Sequence, residues 1–98
     1  MITHIVLFKL KDGVTRNAEL VAEAEARARA VGHHVPELLG WRAGWNAVDR
    51  DGAYDFAVMG VLPDLAALES YQRNPFHRGS VELWRAISDW VVVDLVDD

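Results

Sequence analysis

The chain contains no cysteine, which excludes disulfide bonds and metal sites with thiolate ligands. It also lacks an apolar run near the roughly 18 residues that a membrane-spanning helix needs. Its first residues, MITHIVLFKLKDG, lack the basic segment and small-residue cleavage site of a signal peptide. Basic residues are scarce: 10 Lys and Arg against 15 acidic residues give a net charge of −5, with no basic patch for nucleic acid. We therefore expect a cytoplasmic protein that binds neither membranes nor nucleic acid.

The composition, 51% hydrophobic and 26% charged, is typical of a globular protein. No linker or internal repeat divides the chain, so we expect a single domain over residues 1–98. A chain of this length buries only about 65% of the surface that it exposes when unfolded, so contact with a second subunit would stabilise it.

Apolar residues in alternating positions predict four strands, over residues 2–11, 38–48, 54–62 and 90–96. The first and third strands are apolar on both faces, which is typical of central strands. The second has its large apolar side chains on one face only, which favours an edge strand.

Apolar spacings of three and four predict three helices, over residues 15–31, 63–73 and 75–88. We expect Thr15 to cap the first helix and Gly32 to end it, with the loop HHVPE following. The second helix is expected to bury a stripe formed by Leu65, Leu68 and Tyr71.

The order β-α-β-β-α-α-β predicts a ferredoxin-like α+β fold, with a four-stranded antiparallel sheet and all helices on one face. The opposite face of the sheet stays apolar, and a monomer rarely exposes so large an apolar patch. Two copies that press these faces together would cover it, so we expect a homodimer.

The segment SYQRNPFHRG contains the start of the third helix. Asn74 is a good N-cap, and Pro75 suits the first helical position, which places His77 in the first turn. His77 shares the helical stripe of Val81 and Trp84, so it faces the interior, where the positive end of the helix dipole disfavours imidazolium. A neutral, inward histidine suits a general base, a ligand to a bound group or a hydrogen-bonded core residue.

Four segments, HIVLFKLKDG, YDFAVMGVL, LESYQRNPFHRG and VVVDLV, together resemble the stress-responsive dimeric α+β-barrel (Dabb) family over essentially the whole chain. The resemblance implies a homodimer whose two sheets close into a barrel. Many members have no assigned activity; the family includes plant stress proteins and a plant polyketide cyclase. One departure is Gly44-Trp45, where members often have Trp-Gly, and this shifts a large ring.

In that cyclase a Y-x-x-x-P-x-H segment and a histidine of the first strand serve the active site. The resemblance therefore implies catalytic roles for Tyr71, His77 and His4, with Asp94 as the partner that orients the base. Antiparallel pairing of strands four and one independently brings Asp94 beside His4. We expect these four polar groups to line one pocket on the helix side, with an apolar wall that binds the ligand and consists of Val6, Phe8, Val81 and Trp84, together with Trp90.

An oriented neutral imidazole can remove a proton next to a carbonyl, while a tyrosine hydroxyl stabilises the enolate oxygen. These functions would suit a cofactor-independent cyclisation or isomerisation of a polyketide-like carbonyl compound. One alternative is a non-catalytic stress or structural dimer, in which His77 and Tyr71 only satisfy core hydrogen bonds. A second is a haem pocket with His77 as the axial ligand, because haem-degrading monooxygenases share this architecture. His33-His34 is expected to lie in a solvated loop and to bind no metal.

Overall fold

A computed structural model describes residues 1–97 of the chain. Its elements follow the predicted order. They are β1 (Ile2–Leu10), α1 (Glu19–His34), β2 (Gly40–Trp45), β3 (Phe56–Leu62), α2 (Leu65–Arg73), α3 (Pro75–Ile87) and β4 (Ser88–Val96). The fold is the ferredoxin-like α+β fold, and the strand bounds differ from the predicted ones mainly because β2 is shorter and β4 begins earlier.

The four strands form one antiparallel sheet in the order β2-β3-β1-β4. The central positions of β1 and β3 and the edge position of β2 confirm the prediction from their apolar faces. The register aligns His4 with both Gly60 and Asp94, and it aligns Trp41 with Gly60. One row of helix-side positions therefore runs across all four strands.

The short helices begin where the sequence predicts, because their caps are local. The Asp64 side chain accepts a hydrogen bond from the Ala67 N–H and opens α2. Asn74 Oδ1 accepts from the Phe76 N–H at 2.9 Å and the His77 N–H at 3.3 Å, and Pro75 follows it as the first residue of α3. This cap sets the place of His77 in the first turn.

The predicted ends of α1 are wrong. Thr15 bonds Asn17 and caps nothing; the helix begins after Ala18, which makes no side-chain cap. It continues through Gly32 to His34 and ends at Val35, where the following proline disfavours helical geometry. His33 and His34 thus occupy the last helical turn, not a loop.

The helices cover one face of the sheet with a core in two adjoining parts. One part contains Phe8, Phe56 and Trp84, and the other contains Leu62 and Tyr71. The predicted stripe of α2 is correct at Leu68 and Tyr71 but wrong at Leu65, which is 69% exposed because it lies at the outer side of the first turn.

The other face of the sheet carries no helix within the described residues. Its larger apolar side chains point away from the core at alternate strand positions, and in the single chain they are partly or largely exposed. Six of them are Ile5, Leu7, Met59, Val91, Val93 and Leu95. We refer to these six residues as the outer face.

Candidate ligand-binding cavity

A cavity of about 180 Å³ lies between the sheet and the three helices. All four residues predicted as its apolar wall line it, as does Trp90. Three of the four predicted polar residues, His4, Tyr71 and His77, line it as well. The sequence reasoning missed seven further lining residues, Ala28, Val31, Trp41, Val58, Gln72, Ser80 and Val92.

His4 is held by the fourth predicted residue, Asp94, from the neighbouring strand. His4 Nδ1 lies 2.5 Å from Asp94 Oδ1, and the histidine is only 5% exposed. A carboxylate only accepts hydrogen bonds, so Nδ1 carries the proton of this contact, and Nε2 is the ring nitrogen left for another partner. Asp94 itself does not line the cavity, and it orients His4 instead of bordering the ligand space as predicted.

Tyr71 lies between the two histidines and is 1% exposed. Its ring centroid is 5.0 Å from that of His4, in an edge-on arrangement, and 4.1 Å from that of His77. Burial raises the pKa of the Tyr71 hydroxyl, and the Asp94 charge adds to the effect. The tyrosine therefore keeps its proton and is suited to donate a hydrogen bond.

His77 differs from His4 in that its Nδ1 has no partner among the described residues. Its Nδ1 is buried, and among residues 1–97 it forms no hydrogen bond. Burial lowers the pKa of His77 to about 4, His4 adds to this shift, and a backbone hydrogen bond at Gln72 opposes it. The direction agrees with the expectation that this position disfavours imidazolium, but the causes are burial and His4, and the helix dipole is not among them. The ring is neutral at physiological pH.

Two tryptophan side chains are fixed as walls by backbone carbonyls one turn apart on α1. Trp84 Nε1 donates to Ala24 O at 3.1 Å, and Trp41 Nε1 donates to Ala28 O at 2.9 Å. Both carbonyls belong to the buried stripe of α1, which consists of Val21, Ala24, Ala28 and Val31 and follows the apolar spacing of the helix. The stripe identified a packing face, but nothing in the sequence indicated that part of this face borders a cavity.

The Gly44-Trp45 departure affects a different part of the core. The Trp45 ring packs edge-on against Phe56 at 4.8 Å, with the Arg16 guanidinium 4.4 Å from it on another side. Trp45 lies outside the cavity lining. Of the two tryptophans of β2, only Trp41 therefore contributes to the cavity wall.

Exposed residues of the lining mark the open side of the cavity, and buried ones mark its closed side. Gln72 is exposed and Val92 is 51% exposed at the open side, whereas Ala28, Val31 and Val58 are buried at the other. Apolar protein cavities near 150 Å³ accommodate a benzene ring. A porphyrin, with four pyrrole rings, is too large for this space, which disfavours haem with His77 as its ligand.

Two other predictions concern metal ions and membranes. Residues 1–97 contain no group of three or more His, Asp or Glu side chains that lie close enough together to hold a metal ion. His33 and His34, on the last turn of α1, belong to no such group. None of the helices in the described part of the chain is long and apolar enough to cross a membrane.

Comparisons with known proteins agree with this fold. The family model of the Stress responsive A/B Barrel Domain (Dabb) matches residues 2–97. An uncharacterized protein of Streptomyces coelicolor is 43% identical over 94 residues, which cover 96% of this chain and 97% of that protein.

Two solved structures extend the comparison. A dimeric ferredoxin-like protein of unknown function from Thermobifida fusca has a TM-score of 0.84 at 29% identity, over 96% of this chain and 88% of that one. A hydroxynitrile lyase from Passiflora edulis has a TM-score of 0.80 at 18% identity, over 99% of this chain and 93% of the lyase. The second likeness is one of fold alone.

Proposed function

We propose that this chain, which belongs to the stress responsive A/B barrel domain (Dabb) family, binds a small carbonyl compound and catalyses proton transfer next to the carbonyl group. The observation that carries the proposal is the meeting of His4, Tyr71 and His77 in one otherwise apolar cavity. A small apolar cavity with a few convergent polar groups is the usual form of a ligand site.

His4 is the better general base of the two histidines. A base is most effective when its pKa lies near the working pH, and His77, with a pKa of about 4, is too weak for that task. Asp94 orients the His4 ring and keeps the proton on Nδ1, so Nε2 is the atom that takes a proton. Asp94 is thus a positioning residue. His77 Nδ1 is left to hydrogen-bond the ligand.

The reaction begins when His4 Nε2 removes a proton from the carbon beside the carbonyl. The electron pair of the broken C–H bond moves onto the carbonyl oxygen, and the enolate oxygen accepts a hydrogen bond from the Tyr71 hydroxyl. Return of the proton to another carbon gives an isomer. Attack of the enolate carbon on a second carbonyl of the same molecule closes a ring, and the alkoxide formed at that carbonyl takes the proton back from His4 Nε2, as in a polyketide cyclase.

The same proposal includes a homodimer formed through the outer face. Leu7, Met59 and Val93 are 39–48% exposed in the single chain, and a second copy would remove them from water. A stable interface buries roughly 1,600 Å² in total. The Thermobifida fusca protein of the same fold is dimeric. The predicted cytoplasmic location stays a prediction.

Deuterium exchange tests the chemistry directly. In D₂O, the wild-type protein should accelerate exchange of the methyl protons of acetophenone, followed by proton NMR. His4→Gln, which retains an amide donor but lacks a base, should slow the protein-catalysed exchange by about 10²–10⁴-fold. His33→Gln is the matched control, because His33 is exposed at the end of α1, and its exchange rate should equal that of the wild type.

Binding measured alongside exchange separates the alternatives. Binding of acetophenone and of β-keto compounds without any exchange would favour the non-catalytic stress or structural dimer. If the protein neither bound these compounds nor accelerated their exchange, the proposal would be contradicted. If His33→Gln lost as much exchange activity as His4→Gln, the assignment of His4 as the base would be wrong.

A further inference from the structure

We propose that Trp41 limits the length of the ligand that the cavity accepts. The inference rests on the proposed function, because it concerns the same cavity. It adds a specificity-determining residue on β2, the strand farthest from the opening.

Trp41 lies on β2, and the exposed lining residue Val92 lies on β4, and these strands are the two opposite edges of the sheet. The open side of the cavity at Val92 is therefore across the sheet from Trp41. Trp41 lines the cavity and is also only partly buried, so part of its surface reaches solvent. A single indole therefore separates the closed end of the cavity from the outside.

Two glycines from different elements hold this indole in a narrow slot. A methyl group at Gly32 of α1 would lie 2.8 Å from Trp41 Cβ, and one at Gly60 of β3 would lie 3.1 Å from the indole Cε3. The hydrogen bond from Trp41 Nε1 to Ala28 O fixes the ring along the slot. Gly32 thus permits a close approach of α1 to β2, which explains why it does not end the helix.

The slot has a consequence for any shorter side chain at position 41. Neither Gly32 nor Gly60 has a side chain that could move into the vacated space, so the space should stay open and join the cavity. Gly60 is also in register with His4, so this added space would begin one strand away from the proposed base. A longer ligand could then enter while its carbonyl group stays at His4 and Tyr71.

A homologous series of methyl ketones, from butanone to dodecanone, tests the limit. For the wild type, the dissociation constant should fall about fourfold for each added methylene until the chain reaches Trp41, and then rise. In Trp41→Phe and Trp41→Leu the turning point should move to longer ketones. Trp45→Phe is the matched control on the same strand, outside the cavity lining, and its turning point should not move.

A second measurement needs no variant. The indole N–H resonance of Trp41 should shift with ketones near the turning point and stay unchanged with butanone. An unmoved turning point in a folded Trp41 variant, an equal movement in Trp45→Phe, or an unresponsive Trp41 resonance would each overturn the inference while leaving the proposed function intact. If none of the methyl ketones and none of the β-keto compounds bound to the protein, both the proposed function and this inference would be overturned.

Discussion

Two neighbouring rows of residues cross the same four strands and serve opposite sides of the sheet. The helix-side row consists of Trp41, Gly60, His4 and Asp94, and the outer row, one residue away, consists of Arg42, Met59, Ile5 and Val93. The first row contains a wall of the cavity, a glycine, the proposed base and the carboxylate that orients it. The second contains three apolar side chains in succession.

The difference shows how a small domain can separate ligand chemistry from subunit assembly. Successive side chains of a strand point to opposite faces, so a substitution in one row leaves the other row untouched. It also shows why the register must be strict, because a slip of one residue would exchange the two faces. Four substitutions, one in the outer row, two in the helix-side row and one at His77 of the cavity, probe the two sides of the sheet, from the largest expected effect to the smallest.

Ile5→Asp should have the largest effect, on assembly. Its neighbours across the outer row are Met59 and Val93, so an interface would bury the new carboxylate without a partner, at a cost of about 3–5 kcal/mol. Sedimentation at micromolar concentration should give a wild-type mass of about twice 11.0 kDa and a variant mass near 11.0 kDa. Leu20→Asp, an exposed position on α1, should remain dimeric. A monomeric wild type would remove the basis for an interface on the outer face.

Gly60→Ala should have the next largest effect, on the helix-side row. The new methyl group would lie 2.9 Å from Leu38 Cδ2 and 3.1 Å from the Trp41 indole, and overpacking of this kind costs about 1–3 kcal/mol. Urea unfolding of the variant and the wild type measures this loss of stability. Gly44→Ala serves as the comparison. Gly44 lies on β2 and faces away from the helices, and a methyl group there meets no atom within 4 Å in the single chain. Equal stability of the two variants would argue against a tight slot.

Asp94→Asn should have a moderate effect that is confined to the site. The neutral amide oxygen still accepts from His4 Nδ1, but loss of the charge weakens the bond by about 1 kcal/mol. The dimer mass should stay unchanged, while exchange of acetophenone protons falls because the His4 ring is held less well. A dissociated dimer would show that the two rows are not independent.

His77→Gln should have little effect on stability at neutral pH and a distinct effect on its pH dependence. The folded pKa of His77 is about 4 against 6.5 for a free ring, so the unfolded chain binds a proton that the folded chain does not between these values. The wild type therefore loses stability as the pH falls from 6.5 towards 4, and the variant should lose less over this range. Urea unfolding at both ends of the range measures the difference, and His33→Gln should behave as the wild type. Equal slopes in His77→Gln and the wild type would contradict the lowered pKa.

Much of the fold and part of the site could be predicted from sequence because the signals are local. Apolar residues on both faces identified β1 and β3 as central strands, and the Asn74-Pro75 cap placed His77 in the first turn of α3. The pairing of His4 with Asp94 needed one further step, the antiparallel register of two predicted strands. The bounds of α1 were less accessible, since its start has no side-chain cap.

The sequence by itself determined the order of the elements, the two faces of each strand and the presence of His4, Tyr71 and His77 on inward positions. Only the tertiary structure decided that Asp94 stays outside the cavity lining, that His77 Nδ1 has no partner within the described residues, and that Trp41 lies in a slot between Gly32 and Gly60. The physical reason is the range of the interactions. Caps and periodicity depend on residues a few positions apart, whereas a desolvated ring or a glycine slot depends on atoms that meet only after the helices pack on the sheet.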